Sequence, residues 1–338
     1  MKRLLVPAFV ICILITSCTG EVTPLPARAS SPESAPLSAP ASGPVSAPVS
    51  VPTQTLPVLA AAPVIQPSAT QKPKKYSPIT PEPTRTSTAT PLPPTTEAEA
   101  NAWKALPVIP ETVDASLQKV YERGLELGNN PHAFSIFGDC QSRPEDFFGV
   151  FEMDVSVIEN LSPELREAVD NFGGSFNRES PTAQDGTTPG SLLWTQWHRG
   201  EYGCTFAETP VQCELRVHRP SFVIIQVGTH FESRNTEYLR RVILQLIDAG
   251  VVPILATKAD NREKDERINR DMAMLAAEYD LPLWNFWAAV SDLPNRGLYT
   301  RDDRPLQGDI YLTEVALERH RMTGLTALNV VWRSVAGQ

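Results

Sequence analysis

The stretch SFVIIQVGTH, residues 221–230, decides the fold of this chain. It begins as a mainly apolar run of strand length and ends in the triplet GTH at 228–230. A run of this kind is typical of a strand that is buried on both faces of a parallel sheet. An earlier stretch repeats the pattern, because the apolar residues 133–137 are followed by the triplet GDC at 138–140. The sequence therefore predicts two buried strands, each followed by chemically useful residues.

Helical patterns alternate with the apolar runs. Residues 235–249 repeat apolar side chains at helical spacing, and Gly250 follows them as a typical helix end. The other predicted elements are helices at 112–127, 260–279 (capped by Asp260 or Asn261) and 313–335, and strands at 251–256 and 281–286. This alternation indicates a three-layer α/β/α fold with a mainly parallel, flavodoxin-like sheet. In such sheets ligands bind at the carboxyl ends of the strands, where both triplets would lie.

Four blocks of this region resemble the SGNH, or GDSL, hydrolase family in their order and spacing. The blocks are FSIFGDCQS (134–142), NFGGSF (171–176), VGTHFE (227–232) and GDIYLTEVAL (308–317). In that family the first block carries a nucleophilic serine, the next two carry oxyanion-hole donors, and the last carries an acid and a histidine. The resemblance covers most of residues 130–335, and it implies an SGNH-type fold and a relationship to ester hydrolases.

In the first two blocks the resemblance assigns the nucleophile and one oxyanion-hole position. The family's serine corresponds to Cys140, and Asp139 before it matches the family. Gly173 or Gly174 corresponds to the oxyanion-hole glycine. A change from serine to cysteine would by itself leave a thiol nucleophile, since thiolates attack acyl groups.

In the last two blocks most of the family's residues are replaced. Gly228 matches, whereas His230 stands where the family has asparagine. Gly308 stands at the acid, with Asp309 one place later, and Tyr311 stands at the histidine. A phenol, with a pKa of about 10, cannot serve as the general base near neutral pH. The sequence therefore predicts a degenerate catalytic pocket.

Several function classes stay open at this point. The first is a surface binding module that holds a glycan or an acylated ligand in the degenerate pocket. The second is an active esterase or acetylhydrolase in which His230 serves Cys140, because a nearby imidazolium stabilises a thiolate. The third is a purely structural surface domain. None of them calls for a cofactor, and the sequence lacks the paired cysteines or histidines of a metal site such as zinc.

The first 18 residues, MKRLLVPAFVICILITSC, are typical of a bacterial lipoprotein signal peptide. Their apolar stretch is too short to span a bilayer. The end, ITSC, resembles a lipobox, so Cys18 is expected to carry the lipid that anchors the chain to the membrane outside the cytoplasm. Residues 19–106 hold 18 of the 32 prolines and are predicted to form an extended, disordered tether. The folded, SGNH-hydrolase-like domain is expected at 107–338.

Charge and cysteine content limit the partners. Residues 107–338 carry 22 Lys and Arg against 34 Asp and Glu, a net charge of −12, which argues against nucleic-acid binding. Outside the cytoplasm Cys204 and Cys213 are near enough in sequence to form a disulfide, which leaves Cys140 unpaired. Two interpretations of the aromatic residues within 194–206 stay open. They stack on sugar rings at the mouth of a pocket, or they are buried against the domain by a capping loop.

Overall fold

The computed structural model describes residues 96–337. The predicted signal peptide, the lipid attachment at Cys18 and nearly all of the predicted tether lie outside the described residues, and they stay predictions from the sequence. No helix among residues 96–337 is long and apolar enough to cross a membrane.

Helices and short strands alternate along the described chain. The helices are α1 (Glu97–Asn101), α2 (Ser116–Glu126), α3 (Val150–Met153), α4 (Val155–Glu159), α5 (Pro163–Asn171), α6 (Pro210–Val217), α7 (Asn235–Asp248), α8 (Arg267–Glu278), α9 (Phe286–Val290) and α10 (Glu314–Ala336). The strands are β1 (Asn130–Gly138), β2 (Pro220–Gln226), β3 (Val252–Ala256), β4 (Leu283–Trp284), β5 (Leu298–Tyr299) and β6 (Tyr311–Leu312). Short 3₁₀ turns lie in several of the connections.

The first four strands form one parallel sheet in the order β1-β2-β3-β4. Its register places Phe137 beside Ile225 and Ile225 beside Leu255. Every residue of β2 and β3 is buried, which explains why these strands are apolar on both faces. Strands β5 and β6 form a separate antiparallel pair. The predicted fold class, an α/β domain with a mainly parallel sheet, is confirmed.

Two helical layers cover this sheet. In one layer α10 packs against α2 and α5, and the ring of Phe172, just after α5, contacts Phe222 of β2 and Trp332 of α10. In the other layer α7 packs against α8, and both helices contact β3. Their apolar faces are fully buried, as Leu239 and Met272 illustrate. The amphipathic spacing in the sequence thus corresponds to the sides of the helices that meet the sheet.

A short extended segment continues the sheet beyond β1. The backbone N–H of Gly138 donates to the carbonyl of Thr182 at 2.9 Å, and Gly138 forms a parallel bridge with Ala183. The hydroxyl of Thr182 donates to the carbonyl of Ile136 at 2.8 Å. This pairing brings the residues after Ala183 to the carboxyl end of the sheet.

Ordered packing begins before residue 107, the start that composition had indicated. Trp103 is buried, and its ring meets that of Trp287 edge to face at a centroid distance of 5.1 Å. The side-chain amide of Asn285 donates to the carbonyls of Trp103 and Leu106, both at 3.0 Å. Residues 103–106, which we call the N-terminal strap, therefore belong to the folded domain, although composition alone assigned them to the tether.

The helix that the sequence predicted to begin at Asp260 or Asn261 begins at Arg267 instead. Lys264 and Glu266 both have positive φ values, 70° and 52°, and an α-helix cannot include them. The segment before α8 is therefore a loop, and Asp260 is buried in it rather than placed at a helix cap.

Cys204 and Cys213 form a disulfide, with their Cα atoms 5.2 Å apart, so the predicted pairing is confirmed. The bond joins the aromatic-rich segment to α6, which carries Cys213. Cys140 is a free cysteine.

We expect the double variant Cys204→Ala, Cys213→Ala to unfold more easily than the wild type. Closing a loop of this length should stabilise the folded state by roughly 2–3 kcal/mol, because it restricts the unfolded chain. Urea denaturation of both proteins measures the difference, with Cys140→Ala as the single-cysteine control. A reductant that leaves the wild-type midpoint unchanged would contradict the prediction.

Candidate functional site

The ends of β1 and β2 meet around one carboxylate. Oδ2 of Asp139 accepts hydrogen bonds from the backbone N–H groups of Gly228, at 3.3 Å, and Thr229, at 3.0 Å. Gly228 has a φ of 134°, and a Cβ at this position would collide with Ile268. Glycine is therefore required here both for its backbone conformation and for space. The structure thus brings the GDC and GTH triplets together.

The Asp139 carboxyl group is fully buried, and its protonation reflects that. Burial raises the pKa of Asp139 to about 7, and the negative charge of Asp260 contributes, while Lys258 opposes the change. The backbone N–H groups of His230 and Thr229 favour the charged form and limit the shift. Asp139 therefore gains a proton near neutral pH.

A buried ionic network continues from this point. The ammonium of Lys258 donates to Oδ1 of Asp260 at 2.8 Å and to Oε2 of Glu263 at 2.6 Å. The hydroxyl of Thr229 donates to Oδ2 of Asp260 at 2.7 Å. The side chains of Asp260 and Glu263 are inaccessible to solvent, and that of Lys258 is nearly so. The network links the loops that follow β1, β2 and β3.

The sequence pattern did not indicate a site role for Lys258, Asp260 or Glu263. Lys258 and Asp260 follow β3, in the same place as the two recognised triplets follow β1 and β2. The rule that polar residues after an apolar strand face the site would have identified them. Glu263 lies further along the loop and carried no such signal.

Cys140 was predicted at the nucleophile position by the resemblance, but it lacks the surroundings of a nucleophile. Within residues 96–337 no group hydrogen-bonds its thiol. Burial raises the pKa of the Cys140 thiol far above its ordinary value, and the negative charges of Asp139 and Asp185 raise it further. The thiol therefore stays protonated at neutral pH, where a nucleophilic cysteine would need to be a thiolate.

His230 does not form the pair with Cys140 that the esterase hypothesis requires. Among the described residues the ring shares no hydrogen bond with the thiol, and its buried Nδ1 has no partner. Burial lowers the pKa of His230, and the positive charge of Arg262 lowers it further, against the opposing charge of Asp260. A neutral imidazole at this place cannot stabilise a thiolate by charge.

Tyr311 and Cys140 belong to one pocket. Both residues line a pocket of about 220 Å³ together with Asp146, Tyr299 and Arg301. The rings of Tyr299 and Tyr311 are 6.0 Å apart, and the Arg301 guanidinium lies 5.2 Å from the Tyr311 ring centre. We call this space the Cys140 pocket. It combines aromatic surface with charged groups of both signs.

Asp309 is not part of this pocket. Its carboxylate accepts hydrogen bonds from the side-chain amide of Asn295, at 3.0 Å, and from the hydroxyl of Thr300. These contacts brace the connection between β5 and β6. The prediction that Asp309 contributes to the site is therefore not supported by its contacts.

Gly173 and Gly174 also lie away from the Cys140 pocket. The hydroxyl of Ser175, which follows them, accepts from the backbone N–H of Phe134, well before the carboxyl end of β1. The backbone N–H of Gly174 donates to Glu152 at 2.6 Å, so it is not free to bind an oxyanion. These contacts do not support the oxyanion-hole assignment, which stays a prediction, and the segment that pairs with the end of β1 is the one at 182–183.

Asp185 also had no predicted role in the site. It follows that segment, and its negative charge raises the pKa values of both Cys140 and His230. Its carboxylate pairs with Arg143 at 3.3 Å. The site therefore gathers acidic groups rather than a catalytic base. Among residues 96–337 no cluster of His, Cys, Asp and Glu has the arrangement of a metal site.

Comparisons with known proteins give only a similarity of fold. No protein-family model and no curated protein matches the chain. One similar solved structure is a "putative acylhydrolase" from Bacteroides fragilis, with 15% identity over 67% of this chain and 100% of that one, at a TM-score of 0.38. Another is a GDSL-like lipase from Bacteroides thetaiotaomicron, with 12% identity over 64% of this chain and 97% of that one, at a TM-score of 0.37. Nothing about activity follows from them.

The raised pKa of Asp139 predicts that the variant Asp139→Asn is more stable than the wild type by an amount that depends on pH. An aspartate in the unfolded chain ionises near pH 4, whereas folded Asp139 ionises near pH 7. The wild type therefore loses stability as the pH rises from about 4 through 7. The amide of Asp139→Asn does not titrate. As the pH rises, the free energy of unfolding of this variant should therefore increase relative to that of the wild type, by up to about 4 kcal/mol.

Urea denaturation of both proteins at pH 4.5 and pH 8 measures this shift. Asp170→Asn, which removes the same charge from an exposed position, is the matched control. A difference between Asp139→Asn and wild type that is the same at both pH values would show that Asp139 is ionised throughout.

The protonated thiol predicts slow alkylation of Cys140. At pH 8 iodoacetamide should modify Cys140 at least about tenfold more slowly in the folded protein than in denaturant, because only the thiolate reacts. Mass spectrometry of timed samples measures both rates. Fast native alkylation that persists at pH 6 would instead indicate an ion pair between Cys140 and an imidazolium.

Proposed function

We propose that this chain is a lipid-anchored, extracytoplasmic binding protein with an SGNH-hydrolase-like domain. The Cys140 pocket binds a cell-surface glycan or an acylated ligand and does not hydrolyse it. The observation that carries the proposal is the protonated thiol of Cys140. The thiol stands where the resemblance places the nucleophile, but carboxyl groups influence it and no base among the described residues contacts it. The anchoring rests on the lipobox-like sequence that ends at Cys18.

The absence of hydrolysis follows from the chemistry of the pocket. Acyl transfer to a thiol needs a thiolate or a base that removes the proton as the bond forms. The raised pKa of Cys140 disfavours the thiolate. His230 is neutral and forms no hydrogen bond with the thiol, so it does not supply the base. The hydroxyl of Tyr311 is already engaged with Gln307 and Arg304. No described residue takes the role of the family's histidine in this pocket.

The lining of the pocket supports a small polar ligand. Tyr299 and Tyr311 offer ring surface, and Asp146, Arg301 and Glu314 offer charged hydrogen-bonding groups. Binding sites for small molecules combine apolar surface with a few fixed polar groups in this way. A volume of about 220 Å³ suits one sugar ring or a short acyl group rather than a long chain. N-acetylglucosamine, which carries both a ring and an acetyl group, is therefore a suitable probe.

Two assays on the purified full chain test this proposal. With p-nitrophenyl acetate we expect the same background rate for the wild type and for Cys140→Ala. With N-acetylglucosamine, calorimetry should detect binding that Tyr311→Ala weakens about tenfold, whereas Tyr311→Phe, which keeps the ring, should retain most of it.

Turnover well above background that both Cys140→Ala and His230→Ala abolish would overturn the non-catalytic assignment. Binding that is equal in the wild type and in Tyr311→Ala would overturn the assignment of the ligand to this pocket.

A further inference from the structure

A second groove lies on the segment that follows Ala183, and we call it the tryptophan groove. It has a volume of about 510 Å³ and is lined by Thr188, Trp194, Trp197, Glu232, Tyr238 and Arg241, among others. The Cys140 pocket has no lining residue in common with it. This volume is within the usual range for small-molecule sites.

Aromatic side chains form one surface of the groove and are only partly covered. Trp194 is 53% exposed, and Trp197 and Tyr238 are half-buried. The capping-loop interpretation of the sequence requires Trp194 to be buried against the domain, and it is not. A large aromatic ring held open to solvent beside a groove is the arrangement expected of a surface that stacks on a ligand.

The aromatic segment is held firmly in place. His198 is buried, its Nδ1 accepts from the backbone N–H of Gly200, and its Nε2 hydrogen-bonds the carbonyl of Glu208, both at 2.9 Å. The disulfide between Cys204 and Cys213 closes the far side of the same segment. The backbone of Trp194 is itself hydrogen-bonded, to the carbonyl of Ser191 at 3.1 Å and from the N–H of Trp197 at 3.0 Å, so little backbone ordering remains for a ligand to impose.

Polar groups at the edge of the groove are available for further hydrogen bonds. Oε1 of Glu232 is fixed by the hydroxyl of Thr188 and by the backbone N–H of Gly190, at 2.9 Å. Its Oε2 accepts no hydrogen bond from a described residue, and within residues 96–337 Arg241 forms neither a hydrogen bond nor a salt bridge. The groove thus presents a free acceptor and a free donor.

Trp197 adds a donor that lacks a partner in the protein. Its indole N–H is buried, and no described residue accepts a hydrogen bond from it. A buried donor without a partner is uncommon in folded proteins, and a ligand or a water molecule bound beside it would satisfy it.

We infer that the tryptophan groove is a saccharide-binding site. Pyranose rings with equatorial hydroxyls have a flat apolar face that stacks on an indole, and a rim of hydroxyls that need both donors and acceptors. Trp194 supplies the ring surface, Glu232 an acceptor and Arg241 a donor. The ligand class is an oligosaccharide of such sugars. The inference does not rest on the function proposed for the Cys140 pocket, because different residues line the two sites.

Cellotriose and chitotriose are the probes, and the purified full chain is titrated with each while its tryptophan fluorescence is recorded. We expect saturable binding of at least one probe by the wild type. Trp194→Ala should weaken it at least about tenfold, the loss expected for one aromatic stacking contact and its buried area. Trp194→Phe, which keeps a smaller ring, should restore most of the affinity.

Phe206→Ala is the matched control, because Phe206 is 74% exposed on the same segment but does not line the groove. It should bind as the wild type does. No binding of either probe, or equal binding by the wild type and Trp194→Ala, would overturn the inference. Binding that Tyr311→Ala abolishes and Trp194→Ala does not would assign the saccharide to the Cys140 pocket instead.

One further outcome concerns another class of ligand, since aromatic grooves also bind proline-rich peptides. A synthetic peptide with the sequence of residues 84–96, TRTSTATPLPPTT, is titrated in parallel. Saturable binding of this peptide, without binding of either trisaccharide, would overturn the saccharide assignment and identify a peptide groove.

Discussion

The carboxyl group of Asp139 holds the ends of two parallel strands together, because one of its oxygens accepts both backbone N–H groups that follow β2. Those N–H groups would otherwise be buried without partners, at a cost of roughly 1–3 kcal/mol each. The same burial raises the pKa of Asp139, and its charge contributes to the raised pKa of the neighbouring Cys140. The residue that organises the loops is thus also one that keeps the adjacent thiol protonated.

The sheet and the meeting of its first two strand ends were predictable from the sequence. An apolar run such as SFVIIQV is compatible with few environments other than the interior of a parallel sheet. The backbone conformation just after β2 and the lack of space beside it both require glycine at 228. The disulfide was expected from two cysteines at short separation in a chain whose first residues predict export. These features depend on local sequence, and they were identified correctly.

The contacts of the site were harder to predict because they depend on the path of long loops. The glycine pair at 173–174 matched a family block in sequence, yet its loop lies beside the early part of β1 and closes around Glu152. The helix expected at Asp260 gave way to a loop that buries that carboxylate against Lys258. The sequence places such residues after a strand, but it does not show which buried charges will become partners.

The packing of Trp103 on Trp287 has a mechanical consequence. Any pull on the chain from its N-terminal side reaches the domain through this strap, whose backbone carbonyls are held by the side chain of Asn285. Asn285 directly follows β4, the short strand at the edge of the sheet. Force would therefore enter the domain at that edge of the sheet, and the hydrogen bonds that Thr257 forms with Asn285 and Gln226 would pass it towards the end of β2.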